Sequence, residues 1–89
     1  MRLTINNSYF RDIRGIQHLG QIHAADALQT VLNAAVVSDI PHLKSLTGYP
    51  GYYRIRVGQY RIGLRWDGQQ FFAEKIGKRG DFYKAYPPK

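Results

Sequence analysis

The sequence contains no cysteine. That excludes a disulfide-stapled scaffold, a thiol nucleophile and a zinc site built on sulfur. Acidic side chains are also scarce: six Asp and Glu stand against thirteen Lys and Arg, a formal net charge of +7. No long apolar run occurs, and the cluster Ala34-Ala35-Val36-Val37 is far shorter than a membrane span. The first residues, Met1-Arg2-Leu3-Thr4-Ile5-Asn6, lack the hydrophobic stretch of a secretory leader. Glycine-rich phosphate loops, paired acidic motifs and Ser/His/Asp arrangements are missing as well. His18, His23 and His42 share no metal-ligand spacing and read as surface or cap residues, and Asp67 and Asp81 read as turn residues. A soluble cytoplasmic protein without metal, cofactor or membrane partner is therefore expected. The 89 residues read as one domain, 1–89, and a hydrophobic fraction of 44% suits a folded chain rather than a disordered one.

The positive charge is unevenly spread. Residues 1–43 carry three basic side chains (Arg2, Arg11, Arg14) and three acidic ones, whereas residues 44–89 carry ten basic and three acidic (Asp67, Glu74, Asp81). A basic surface of this kind attracts polyanions: nucleic acid, an anionic membrane or an acidic protein.

Periodicity gives an α+β layout. Leu3 and Ile5 alternate with polar residues, which predicts a short strand over 2–6. Asn7 or Ser8 can cap a following helix bearing Tyr9, Phe10, Ile13 and Ile16. A second helix is predicted from Gln21 to Val37, with Ile22, Ala25, Leu28, Leu32, Ala35 and Val36 as its apolar stripe. Ser38 to Gly51 reads as a connector rich in turn-formers. In Tyr53-Arg54-Ile55-Arg56-Val57 the odd positions are apolar and the even ones basic, and the parity reverses in Tyr60-Arg61-Ile62-Gly63-Leu64-Arg65-Trp66. Gly58-Gln59 at the switch suits a two-residue hairpin turn with Gly first. A third strand is predicted over about 70–76, with Phe72 and Ile76 in the core. Glu74 shares their parity, which a bulge would resolve. Gly77 to Tyr83 then reads as irregular. The expected fold is a small antiparallel sheet, with the N-terminal strand and two helices packed on one face and an open basic face opposite.

On that open face Arg54 and Arg56 project side by side about 6.6–6.8 Å apart, and Arg61 joins them from the paired strand. Guanidinium groups present planar donor pairs matched to phosphate oxygens. Tyrosines at 49, 52, 53, 60, 83 and 86 offer faces on which unpaired bases can stack. Cations interleaved with aromatics suit RNA or single strands better than a duplex groove.

The segment from Lys44 to Gly63 resembles the central part of RelE/ParE toxins, and Gly77-Lys78-Arg79-Gly80-Asp81-Phe82-Tyr83 resembles their C-terminal signature. The likeness covers roughly residues 40–87. It implies a type II toxin held inactive by a cognate antitoxin, whose flexible, acidic segment the +7 surface would attract. RelE-like members cut messenger RNA on the ribosome without metal, the ribose 2′-hydroxyl attacking the adjacent phosphate. ParE-like members inhibit DNA gyrase instead, and a toxin-like fold can also be a non-catalytic module that binds antitoxin or RNA. The family's basic set falls on Arg54, Arg56, Arg61 and Arg79 and its C-terminal tyrosine on Tyr83, which favours the RNase branch. The implied catalytic set is Arg56, Arg61, Arg79 and Tyr83, and the implied phosphate-binding set is Arg54, Arg56, Arg61, Lys78 and Arg79. Arg54 and Arg61 would orient the scissile phosphate, Arg79 would stabilise the growing charge, and Tyr83 would stack on the nucleotide. Arg56 stands where some relatives carry a lysine, and Lys78 where related toxins often place a histidine. Arginine is a very poor proton acceptor, so the resemblance assigns no general base.

Overall fold

The alternating and helical patterns settle into five strands and three helices. A computed structural model describes residues 1–88; Lys89 lies outside the described residues. The chain runs β1 (Arg2–Ile5), α1 (Asn7–Ile13), α2 (His18–Asn33), a 3-10 turn (Val37–Asp39), β2 (Leu43–Ser45), β3 (Tyr52–Val57), β4 (Tyr60–Trp66), β5 (Gln70–Lys78) and α3 (Arg79–Ala85). The strands form one sheet in the order β1-β5-β4-β3-β2.

The sheet is mixed, not antiparallel throughout. β2 to β5 form an antiparallel meander, but β1 lies parallel to β5, with Leu3 opposite Phe71 and Ile5 opposite Ala73. A parallel neighbour needs a long connection: α1, α2 and the 3-10 turn carry the chain from β1 to β2 at the far edge, and the meander returns it to β5. Alternation in β1 fixes which residues face the core, and it carries no information about strand direction.

Ile55, Ile62, Leu64, Phe71, Ala73 and Ile76 make the core face of the sheet, against Tyr9 of α1 and Ala24, Leu28 and Val31 of α2. Of the expected stripe of α2, Leu28 is buried, whereas Ile22, Ala25, Leu32, Ala35 and Val36 are exposed. Small residues decide it. A Cβ on Gly20 would stand 2.9 Å from the Tyr60 ring, so α2 seats its small-residue side on the sheet, where the backbones approach closely. Leu32 is left beside an apolar groove of about 310 Å³ between α1 and α2, lined also by Phe10, Ile13 and Ala25. The helix also ends early, at Asn33. β-branched Val36 and Val37 disfavour its continuation, and the Met1 amine donates to the carbonyls of Val31, Leu32 and Ala34 at its end.

The β3–β4 hairpin turns at Gly58-Gln59 as expected, with Gly58 at φ +59. The bulge anticipated at Glu74 is present: the β4–β5 register shifts between Gly63, opposite Lys75, and Leu64, opposite Ala73. The shift puts Phe71 rather than Phe72 in the core. Asp67 closes the next turn by accepting from the backbone N–H groups of Gln69 and Gln70, and those bonds hold its carboxyl below the usual range.

Burial pushes the Tyr9 phenol up to about 12. Burial, reinforced by a hydrogen bond to Glu74, raises Tyr86 further above the ordinary tyrosine range. Both phenols stay protonated in the folded chain after those of the unfolded chain have ionised. The stability linked to them is therefore complete below about pH 10 and is lost as the pH climbs towards about 12. Urea melts across that interval should show a falling midpoint, and Tyr9→Phe should flatten part of the fall. A midpoint equally steep in Tyr9→Phe would contradict this assignment.

Candidate nucleic-acid interface

The second face of the sheet, away from α1 and α2, is divided rather than open. Register aligns its residues in two cross-strand rows: Lys44–Arg54–Gly63 and Arg56–Arg61–Gly77. The glycines leave room for α3, formed where the local sequence predicts an irregular segment. Phe82 lies over Gly77, and Tyr86 covers Gly63 so closely that a Cβ there would sit 2.6 Å from the ring. Both aromatics are buried. The Tyr86 hydroxyl donates to Glu74 Oε1 (2.9 Å), and Arg65 Nε donates to Glu74 Oε2 (3.1 Å). The Arg65 guanidinium also covers the Phe72 ring at 4.3 Å. Tertiary packing thus makes a helix of a stretch whose local sequence, with Gly77 and Gly80, favours a turn.

The half left free of α3 carries the arginines. Arg54, Arg56 and Arg61 share this face, as the parity predicts. Arg61 differs from the expected solvent-facing clamp in being only 9% exposed. Its Nη1 donates to the carbonyls of Gly58 and Tyr60, each at 2.9 Å, which pins the guanidinium against its own hairpin turn. Arg56 is exposed directly across from it. Arg54 is partly buried and donates from Nη1 to the His42 carbonyl at 2.9 Å. Arg79 is the first residue of α3, and its backbone N–H donates to the Gln59 carbonyl at 2.9 Å, which ties the helix start to the same turn. Tyr83 stands one helical turn further on, 46% exposed, its ring edge-on to Phe82 with centroids 5.1 Å apart. Arg56, Arg61 and the start of α3 at Arg79 therefore meet at the Gly58 turn, with Tyr83 one helical turn further along α3. Lys78 does not join them: its register partner is Tyr60, on the face that bears α1 and α2.

The charge is uncompensated. Among the described residues the salt bridges are Arg65–Glu74, Lys75–Asp12 and Lys84–Asp81, and none engages Arg54, Arg56, Arg61 or Arg79. Like charges directly opposite on paired strands are unfavourable, and a buried cation without an anion more so. No group of three or more His, Asp or Glu side chains that could hold a metal gathers among the described residues, and no helix among them is long and apolar enough to cross a membrane.

No family model matches the sequence. Toxin RelE3 of Methanocaldococcus jannaschii is 25% identical over 88 residues, covering 98% of this chain and 100% of that protein. A chain of the RelB–RelE antitoxin–toxin complex from Methanococcus jannaschii superposes with a TM-score of 0.80 at 23% identity, covering 94% of this chain and 99% of that one. A chain of the archaeal RelE–RelB complex from Pyrococcus horikoshii OT3 does so with a TM-score of 0.69 at 18% identity, covering 91% and 97%. For the intact E. coli RelBE complex the TM-score is 0.68 at 20% identity, covering 86% and 94%. These likenesses show a common fold.

The close approach at Gly63 generates a test. Gly63→Ala should destabilise the protein by about 1–3 kcal/mol through overpacking, read as a lower urea midpoint. Relaxation should occur by undocking α3, seen as faster hydrogen exchange over residues 79–86 than over the hairpin. Unchanged stability would mean that Tyr86 is not seated on Gly63.

Proposed function

We propose that this chain is a RelE-like toxin of a type II toxin–antitoxin system and a ribosome-dependent endoribonuclease, a reading supported by its likeness to Toxin RelE3 and to the RelE structures. The observation that carries the reading is Arg61: a buried guanidinium, pinned by two carbonyls and without a carboxylate, facing Arg56. Stability does not call for such a group. A phosphate that needs a fixed, partly desolvated cation does.

The reaction is attack of a ribose 2′-oxygen on the adjacent phosphorus. The 2′-O–P bond forms, the P–O5′ bond breaks, the 2′-hydroxyl gives up its proton and the 5′-oxygen takes one. Arg61 and Arg54 orient the phosphate, and Arg56 adds charge from the facing strand. Arg79, fixed at the hairpin turn, stabilises the negative charge of the pentacovalent state. Tyr83, beside it on α3, offers a ring for the base. Guanidinium groups bind and polarise without accepting the proton, so these residues act by position and charge, with the proton acceptor drawn from the ribosome or the RNA. In this scheme no metal takes part.

The partner that holds such a toxin inactive is a cognate antitoxin with an acidic or flexible segment, matched to the +7 surface. The proposed setting is the cytoplasm.

Induced expression followed by mapping of message ends tests the reading. The wild-type chain should stop translation and leave cuts only in translated messages. Arg61→Ala and Arg79→Ala should each lower cleavage by about 10²–10³-fold while remaining folded. Growth arrest with intact messages, or with blocked DNA supercoiling, would instead mark a gyrase poison. Arrest unaltered in both variants would mark a non-catalytic module.

A further inference from the structure

We propose that a second phosphate site lies beside the arginine cluster, in the recess lined by His42, Leu43, Lys44, Arg54 and Arg56, and that it holds the RNA phosphate next to the scissile one. The inference rests on reading the neighbouring cluster as the RNA-cleaving site. The recess encloses about 290 Å³ at the β2 edge of the sheet, and no carboxylate lines it.

Its geometry is built. His42 adopts φ +63, a left-handed conformation uncommon outside glycine though tolerated by histidine. That turn carries the His42 carbonyl onto β3, where it accepts from Arg54 Nη1 at 2.9 Å and from the Arg56 backbone N–H at 3.4 Å. Arg54 is thereby held with its other donors unspent. Lys44 is the register partner of Arg54, so the two side chains rise from one face with Cβ atoms about 4.5–5.5 Å apart. Lys44 is exposed, and among the described residues neither cation belongs to a salt bridge. A lysine on a short edge strand can serve merely to discourage edge pairing. That role explains neither the arginine pinned beside it nor the strained turn that does the pinning.

Continuity identifies the ligand. Arg56 belongs to both places: it lines this recess and stands opposite Arg61. A strand whose scissile phosphate lies at Arg61, Arg56 and the near side of Arg54 has its next phosphate within reach of Lys44, which stands across from Arg54 on β2, about 6.6–6.8 Å along the sheet from the Arg56–Arg61 row. An acidic peptide could neutralise the same cations, but guanidinium forks at a regular pitch favour a backbone with a regularly repeating anion.

The test uses the full chain and a single-stranded oligoribonucleotide made uncleavable by 2′-O-methyl groups, with affinity measured over a salt series. Lys44→Ala should weaken binding several-fold and reduce the slope of log affinity against log salt by about 0.7, one single-strand contact. Lys44→Arg should restore both, and Arg11→Ala, on α1, should change neither. A wild-type slope in Lys44→Ala, with Arg61→Ala still weakened, would overturn the recess and leave the cleavage site standing. Wild-type RNA affinity in Lys44→Ala together with lost affinity for a polyglutamate peptide would mark the recess as a protein-docking surface and also overturn it. Absence of any salt-dependent RNA binding by the wild type would overturn both readings.

Discussion

The seating of Tyr86 on Gly63 fixes how the rest of the working face is arranged. The ring approaches the strand backbone as closely as a glycine allows, and the phenol reaches Glu74 from there. Glu74 is in turn held by Arg65. With Phe82 seated over Gly77, this anchors α3 at its far end, while the Arg79–Gln59 backbone bond anchors its start. A helix of seven residues has little stability of its own. Its position comes from these contacts, and Arg79 and Tyr83 inherit theirs from it.

The same contacts sort the charges. Glu74 is used by Arg65, Asp12 by Lys75 and Asp81 by Lys84. Each pairing lies outside the Arg54–Arg56–Arg61–Arg79 group. Four arginines outside these salt bridges therefore share one patch of the sheet in a chain of net charge +7. The cost of holding like charges together is partly met by backbone carbonyls: Gly58 and Tyr60 for Arg61, His42 for Arg54. Carbonyl dipoles stabilise a cation without neutralising it, so the patch keeps its attraction for an anion.

How much of this was legible in the sequence depends on how far each feature is local. The hairpin parity was readable because two strands of opposite alternation flank a glycine turn, and any other register would bury arginines among the helices. The bulge was half-readable, since Glu74 broke the pattern without showing which neighbour would shift. The buried stripe of α2 was misread because hydrophobicity pointed to Ile22 and Leu32, whereas the close contact of Gly20 with Tyr60 decided the face. The direction of β1, the three-residue strand β2 and the helical state of α3 are set by distant partners. The signals for α3 were Gly63 inside a strand, which often marks close approach of another group, and the aromatics Phe82 and Tyr86 spaced to share one helical face.

The burial of Arg61 and the exposure of Arg56 suggest a division of labour that lysine could not reproduce. On the proposed reading, a lysine at 61 would have to satisfy the two carbonyls and meet the phosphate with the same compact ammonium. A guanidinium can give one nitrogen to the carbonyls and keep its others for the ligand. The pinned arginine then loses little freedom on binding and needs little reorganisation as charge develops. Arg56, directly opposite and exposed, is on the proposed reading free to meet the phosphate from the facing strand. An arginine at 56 is a very poor proton acceptor and adds charge beside Arg61 instead. Chemistry on such a surface would be driven by placement and charge, and the proton would leave through a group outside the chain.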